Sequence, residues 1–210
     1  MSIALLGGTF DPVHNGHLAI ASDLADYLGK THVKLMPCGI PVHRGQSITP
    51  AEHRKAMIDL AVINQPKLGV ELGEIESTEP SYTIHSLRRI RAQIDEKKAL
   101  FMCLGMDALN HLHTWHEWEC LLNYCHILVI SRPGAESPSD PTLTRWIQKN
   151  LCEIEPRSVQ KPAGALFFCE LRLLDISSTQ IRHCVRNGEA IHSYVVEHVA
   201  DYISKNNLYK

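Results

Sequence analysis

Apolar runs alternate along this chain with segments whose apolar residues recur at helical spacing. The runs at 99–104 and 126–130 are almost continuously apolar, which is typical of parallel strands covered on both faces. A shorter apolar run at 3–6 leads into a glycine-rich turn. The predicted strands lie at 3–6, 31–36, 68–72, 99–104 and 126–130, with one or two more within 166–174.

Helical periodicity predicts a helix in most of the intervals between these strands. The predicted helices lie at 18–28, from about 51 to 61, at 87–94, from about 177 to 188, and at 195–203. Thr49, Pro50 and Glu52 have the order of an N-cap, a first-turn proline and an N3 glutamate, so they predict a capping box. We interpret the arginines of the third helix as a solvated face; they are Arg88, Arg89 and Arg91.

Strands that alternate with helices predict an α/β fold with a doubly wound, Rossmann-like, mostly parallel sheet and helices on both of its faces. The stretch 135–141, rich in Ser, Pro and Asp, is interpreted as a surface connection and not as a domain boundary. Residues 1–210 are therefore predicted to form a single domain, with a helical C-terminal part (about 177–210) packed on it. Ligands of such sheets bind at the carboxyl ends of the strands, so the loops there carry the candidate chemistry.

Composition narrows the classes of function. The formal net charge of the 210 residues is -2, so no nucleic-acid polymer is predicted as a partner. The seven cysteines are scattered without a CxxC pair, which suits reduced thiols in the cytoplasm. No apolar run approaches the length of a membrane span, so we predict a cytoplasmic protein without a membrane partner. Whether the protein forms a homo-oligomer is left open.

The first candidate site is the stretch Gly7-Gly8-Thr9-Phe10-Asp11-Pro12-Val13-His14-Asn15-Gly16-His17, between the first strand and the first helix. Its two leading glycines let a ligand approach the backbone, and a helix N-terminus attracts anions. His14 and His17 are three residues apart and can point to the same side of the turn. We expect a phosphate site here; the alternative is a tight turn with surface histidines.

The second candidate site is Ser177-Ser178-Thr179 at the start of a later helix. Its hydroxyls and the free N–H groups of the first turn can hold a polyphosphate. Arg182 lies four residues after Ser178 on the same helix face and can reach the same anion. The alternative is an ordinary serine cap with a surface arginine.

Two further signals concern sugar and base recognition. Asp107 follows Gly105 at a strand end, where a carboxylate can accept hydrogen bonds from ribose or help to hold Mg²⁺ through water. The alternative is an aspartate that stabilises a helix N-terminus. Trp115, with Tyr82 and Trp118 as weaker candidates, could stack on a heteroaromatic ring, although a tryptophan is more often a core residue.

A metal site is weighed because the chain has 13 histidines. His111, His113 and His116 lie near Cys103 and Cys120 in the sequence. Their spacing matches neither a Cys/His zinc module nor HExxH, so surface and capping histidines explain them and no protein-bound metal is predicted.

The first loop resembles the (G)GTFDPVHxGH signature of HxGH nucleotidyltransferases, and residues 176–182 are similar to their ISSTxIR motif. Further segments resemble those of bacterial nicotinate mononucleotide adenylyltransferases, in order and spacing, from end to end. These segments are 40–44, 80–83, 105–109, 114–115 and 132–134. The chain departs from that pattern at Val42, at Ser86, where threonine is usual, and at His116, where an aromatic residue often follows the tryptophan.

The resemblance implies a nucleotidyltransferase-type fold and the reaction of ATP with nicotinate mononucleotide, which gives nicotinate adenine dinucleotide (deamido-NAD) and pyrophosphate in NAD biosynthesis. Mg²⁺ would be carried by ATP. The resemblance implies catalytic roles for His14, His17 and Arg182. The implied ATP-binding residues are Gly7, Gly8, Thr9, Phe10, His14, His17, Gly105, Asp107, Ile176, Ser177, Ser178 and Arg182. The implied mononucleotide-binding residues are Arg44, Tyr82, Thr83, Asp107, Trp115 and Arg132.

The implied reaction needs no general base, because the attacking 5′-phosphate is already ionised at neutral pH. The enzyme must hold two anions in line and neutralise the charge on the α-phosphate and the leaving pyrophosphate. Two alternatives stay open. Another HxGH transferase, such as a pantetheine-phosphate type, is disfavoured by Trp115 and 80–83. A non-catalytic nucleotide sensor is disfavoured by the intact His14, His17 and Arg182.

Overall fold

A computed structural model describes residues 2–41, 49–131, 138–171 and 173–210. Six parallel strands form the main sheet: β1 (Ile3–Gly8), β2 (His32–Pro37), β4 (Leu68–Val70), β6 (Leu100–Gly105), β7 (His126–Ser131) and β8 (Leu166–Glu170). A separate parallel pair consists of β3 (Ile40–Pro41) and β5 (Pro80–Ser81). The strand order of the main sheet is β4-β2-β1-β6-β7-β8.

The chain reverses its direction of travel across the sheet between β1 and β6. From β1 it moves outward to β2 and β4, then returns to β6 on the other side of β1 and moves outward again to β7 and β8. Gly8 pairs with Pro37 on one side of β1, and Leu6 pairs with Cys103 on the other. Such a reversal opens a crevice at the carboxyl ends of the two central strands.

Within the described part of the chain, seven α-helices cover the two faces of the sheet. They are α1 (Asn15–Tyr27), α2 (Ala51–Val62), α3 (Thr83–Gln93), α4 (Met106–Asn110), α5 (Pro141–Asn150), α6 (Ser178–Arg186) and α7 (Glu197–Lys205), with 3₁₀ turns at Leu112–Thr114, Trp118–Asn123 and Pro156–Ser158. Ala4 and Leu6 pack with α1, α2, α6 and α7, whereas Leu5 packs with α3, α4 and α5. The period of two along a strand thus builds two core layers. The predicted doubly wound, mostly parallel sheet is confirmed.

Two local predictions are corrected by the structure. Thr49 is not the N-cap of α2: the cap position is Pro50, and the Thr49 N–H instead donates to Asp11 Oδ2 at 3.2 Å. The prediction of one or two strands within 166–174 agrees with the one strand, Leu166–Glu170, in their described part. Pro141 does not belong to the predicted surface connection, because it is the first residue of α5. The N-cap of this helix, Asp140, accepts a hydrogen bond from the Leu143 N–H at 2.8 Å.

The arginines of α3 are partly exposed, as predicted for a solvated face, and they also make specific contacts. Arg88 forms an ion pair with Glu117, and Arg89 pairs with Glu71. Arg91 donates hydrogen bonds to the backbone carbonyls of Lys98, Tyr124 and Pro162. These cations connect α3 to segments that are distant in sequence, which periodicity alone does not reveal.

The C-terminal part shares its core with the sheet. Ile181 and Cys184 of α6 and Val199 and Ile203 of α7 lie in the same cluster of buried residues as Ala4. The assignment of 1–210 to a single domain stays a prediction. Within the described ranges, no helix combines the length and apolar character needed to cross a membrane.

Candidate active site

The stretch 7–17, called the signature loop below, lies at the turn from β1 to α1. His14 is the N-cap of α1, and its backbone is extended. Phe10 has a positive φ of 52° and turns the loop back, so that its buried ring packs beneath Gly8 and edge-on against His17 at a centroid distance of 4.8 Å. The loop therefore presents its backbone and two imidazoles at the carboxyl end of the central strand.

The two imidazoles of this loop hold each other in place. Their rings stack with centroids 3.6 Å apart, and the backbone N–H of His14 donates to His17 Nδ1 at 3.3 Å. A side chain at Gly16 would bring a Cβ to 3.0 Å from His14 Nδ1, so glycine there makes room for the ring. His14 Nδ1 is buried without a hydrogen-bond partner among the described residues. An incoming phosphate oxygen can satisfy it.

Burial favours the neutral form of both imidazoles. Desolvation lowers the pKa of His14 to about 4. Desolvation, together with the charge of His14, also lowers the pKa of His17 well below its usual value. Near pH 7 each ring is thus a hydrogen-bond donor without charge, and an anion bound beside the pair would favour its protonation.

The second predicted site braces the signature loop. Ser178 Oγ donates to the Pro12 carbonyl at 2.9 Å, and Arg182 Nη1 donates to the Asp11 carbonyl at 2.6 Å. Ser177 caps α6 by accepting the Gln180 N–H at 3.1 Å. The structure therefore brings the two motifs together across the sheet edge, as the sequence predicted.

Sequence reasoning missed a second set of supports beneath this loop. The Asp11 carboxylate accepts the Tyr209 hydroxyl at 2.7 Å as well as the Thr49 N–H. Arg54, which is 1% exposed, donates to the carbonyls of Thr9 and Cys38 at 3.0 and 2.6 Å. The sequence carries no signal that this arginine of the second helix is buried, because its partners come from loops distant in sequence.

A cavity of about 300 Å³ opens beside the loop at the crevice between β1 and β6. Gly7, Gly8 and Thr9 form one wall of it. The other predicted site residues that line it are Tyr82, Thr83, Gly105, Asp107 and Trp115. Thr83 is also the first residue of α3, so the N-terminus of that helix reaches the cavity wall. This wall offers backbone N–H groups to a ligand.

Comparisons with known proteins identify the family of this chain. Residues 5–184 match the family model described as cytidylyltransferase-like. The chain is 38% identical over 209 residues to the probable nicotinate-nucleotide adenylyltransferase of Yersinia pestis, covering 99% of this chain and 94% of that protein. A protein of the same name from Pseudomonas putida is 39% identical over 208 residues, with 99% and 94% coverage. This chain belongs to the nicotinate-nucleotide adenylyltransferase family.

Solved structures support the fold of this family member. The nicotinic acid mononucleotide adenylyltransferase of Plasmodium falciparum, complexed with NaAD, superposes with a TM-score of 0.71 at 20% identity, covering 99% of this chain and 97% of that one. The same protein complexed with APC gives a TM-score of 0.68, also at 20% identity, with 99% and 96% coverage. At this identity the likeness concerns the fold alone.

Not every predicted residue of the family's site lies in the cavity wall. His14, His17, Ser177, Ser178 and Arg182 form a separate cluster across the signature loop. Ile176 is half-buried and packs against the core. Asp107 lines the cavity and lies in the first turn of α4, and its role towards ribose or Mg²⁺ stays a prediction. Arg44 and Arg132 lie outside the described residues.

Glu74 is a cavity residue that sequence reasoning did not single out. It is 7% exposed, and burial raises the pKa of its carboxyl group. Ser86 Oγ donates to Glu74 Oε1 at 2.6 Å, which gives the serine at this departure from the family pattern a structural role. An acidic residue in a short loop carries no sequence signal that it will be buried.

Proposed function

We propose that this chain transfers the adenylyl group of ATP to nicotinate mononucleotide, releasing pyrophosphate and forming nicotinate adenine dinucleotide for NAD biosynthesis. The observation that carries the proposal is that one loop serves both places: Gly7, Gly8 and Thr9 line the cavity, and the next residue, Phe10, packs against His17 of the stacked histidine pair. Two anionic substrates can therefore meet at one backbone segment. The family membership of the chain points to the same reaction.

The residues of the signature loop act by position and charge. His14 and His17 donate to the α-phosphate oxygens, where negative charge develops in the transition state. Arg182 and the N-terminus of α6 act on the β- and γ-phosphates, while Ser178 keeps the loop in register. No residue needs to remove a proton, because the attacking phosphate is already an anion.

Mg²⁺ carried by ATP would neutralise phosphate charge. Asp107 is a carboxylate of the cavity wall that could hold this ion through water, and no dedicated cage of protein ligands is needed. Because the carboxylate of Asp107 can also accept hydrogen bonds from ribose, the residue serves both substrates at their junction.

The mononucleotide lies in the cavity, with its pyridine ring against Trp115 and Tyr82. The first-turn N–H groups of α3, next to Thr83, supply donors for the nicotinate carboxylate. A helix N-terminus favours this carboxylate over the neutral amide of nicotinamide. Cytoplasmic placement is part of the proposal, and it rests on seven cysteines that remain unbridged in the fold.

Pyrophosphate release from Mg-ATP tests the proposal with three acceptors: nicotinate mononucleotide, nicotinamide mononucleotide and phosphopantetheine. We expect release with the nicotinate acceptor, at higher kcat/KM than with the nicotinamide acceptor, and none with phosphopantetheine. Preference for phosphopantetheine would assign another branch of the superfamily. No release with any acceptor, in a protein that still binds ATP, would favour a nucleotide sensor.

A further inference from the structure

Three metal-ligating side chains meet at the rim of the cavity, and none of them has a catalytic role in the reaction proposed above. His85 comes from α3, and His116 and Glu117 come from the turn between two 3₁₀ helices. One potential ligand atom from each residue lies within 4.8 Å of the others. Two elements about thirty residues apart in sequence thus converge on one point at the rim.

The backbone of Glu117 explains why two adjacent residues can serve one site. Side chains of consecutive residues normally diverge, but Glu117 is left-handed, with φ of 49° and ψ of 36°. His116 Nε2 and Glu117 Oε1 consequently lie 3.2 Å apart. Two ligands of a tetrahedral zinc ion, with bonds of about 2.0–2.1 Å, are separated by about 3.3 Å. This pair already has the spacing that an ion requires.

Neighbouring side chains orient these donors. Arg88 donates to both oxygens of Glu117, with Nη1 at 3.1 Å from Oε1, so the carboxylate is held by a cation behind it. The Tyr82 ring packs against His85 and His116 at centroid distances of 5.4 and 4.7 Å. Such second-sphere support is typical of metal ligands. His85 is exposed, so it can turn towards the other two donors.

We propose that His85, His116 and Glu117 bind a transition-metal dication, Zn²⁺ in the first place, and leave its fourth position open to the cavity rim. Two imidazoles and one carboxylate favour zinc over Mg²⁺ or Ca²⁺, which prefer all-oxygen sites. His116 also lines the cavity, so the ion would lie beside whatever fills it. Zinc binding here is independent of adenylyl transfer and can be present if that reaction is not.

Calorimetric titration with Zn²⁺, in excess Mg²⁺ and without ATP, tests the site. We expect His85→Ala and His116→Ala each to weaken this binding at least about tenfold, as expected for loss of a ligand. Glu117→Gln, which can still accept from Arg88, should weaken it as well. His192→Ala removes an exposed histidine that is not part of this cluster and serves as the matched control, with unchanged binding. Equal affinity and stoichiometry in all four variants and the wild type would overturn the proposal.

Two further measurements separate a true site from scattered surface binding. Bound Co²⁺ should give the intense visible absorption of a tetrahedral complex in the wild type and in His192→Ala. That band should be lost in His85→Ala. Zn²⁺ should also raise the thermal unfolding temperature of the wild type and of His192→Ala, because a ligand stabilises the state that binds it. An equal rise in His85→Ala, or no tetrahedral band in the wild type, would count against the site.

Discussion

The signature loop and the cavity rim both carry paired histidines, yet they hold them in opposite ways. His14 is 6% exposed, whereas the side chain of His116 is 47% exposed. The loop is braced from below by Arg54, Asp11 and Tyr209, and the rim is a short turn that Arg88 ties to α3. Buried donors that hardly move suit transition-state stabilisation. Exposed donors that can turn suit the binding of a metal ion.

The largest effect is expected from His17→Ala in the loop. This variant should lose at least about 100-fold in kcat, the order expected for one transition-state donor and equal to about 2.7 kcal/mol. Steady-state kinetics with Mg-ATP and nicotinate mononucleotide measures it. His116→Ala at the rim should change KM for the mononucleotide more than kcat, and His192→Ala should change neither. Near-normal turnover of His17→Ala would remove the role assigned to the pair.

A pH effect should follow from the burial of His14. The unfolded chain takes up a proton on this residue as pH falls below about 6.5, whereas the folded protein does so only near its pKa of about 4. The free energy of unfolding should therefore fall between these pH values, with a contribution from His14 of about 3 kcal/mol.

Denaturant unfolding of the wild type and of His14→Asn across this pH range isolates that contribution. The wild-type curve should be steeper, and the two curves should differ most in slope between pH 6.5 and 4. Curves that stay parallel throughout would mean that His14 is not desolvated as the fold indicates.

A smaller effect is expected from Tyr209→Phe. The substitution leaves a buried Asp11 oxygen without the hydroxyl at 2.7 Å, so unfolding should become easier by about 1–2 kcal/mol. Because Asp11 lies in the signature loop, kcat should also fall several-fold while KM for the mononucleotide changes little. Kinetics and denaturant unfolding provide the two readouts.

Tyr202→Phe is the matched control for that prediction. Its hydroxyl bonds to His53 Nδ1 at 2.9 Å and not to a residue of the signature loop, so the variant should lose stability without losing kcat. If Tyr209→Phe lost stability but kept its kcat, as expected for Tyr202→Phe, Tyr209 would stabilise the fold without positioning the signature loop.

Most of the fold could be predicted from the sequence, because the apolar pattern is local and strong. The runs at 99–104 and 126–130 became β6 and β7 within a residue or so at each end. The capping box at Thr49 failed, because a backbone contact to Asp11, thirty-eight residues away in sequence, holds Thr49 outside the helix. Local cap chemistry cannot include such a partner.

Candidate site residues divide in the same manner. His14 and His17 could be predicted, because a spacing of three residues at the start of a helix places both side chains on the same side of the turn. Arg54, Glu74 and Tyr209 could not, because their partners arise only when the loops meet. The absence of a protein-bound metal was predicted from the spacing of His111, His113 and His116, and that spacing does not include His85. That prediction stays untested beside the zinc site proposed above.

The sequence by itself determined the strands, the glycine-rich turn, the two anion motifs and the family. These features depend on short-range periodicity and on residue types at fixed spacing. Only the tertiary structure decided which side chains support the signature loop and which meet at the rim. The physical reason is that crossovers of a parallel sheet bring distant loops to one edge, where burial and hydrogen bonding are set by neighbours that no local pattern contains.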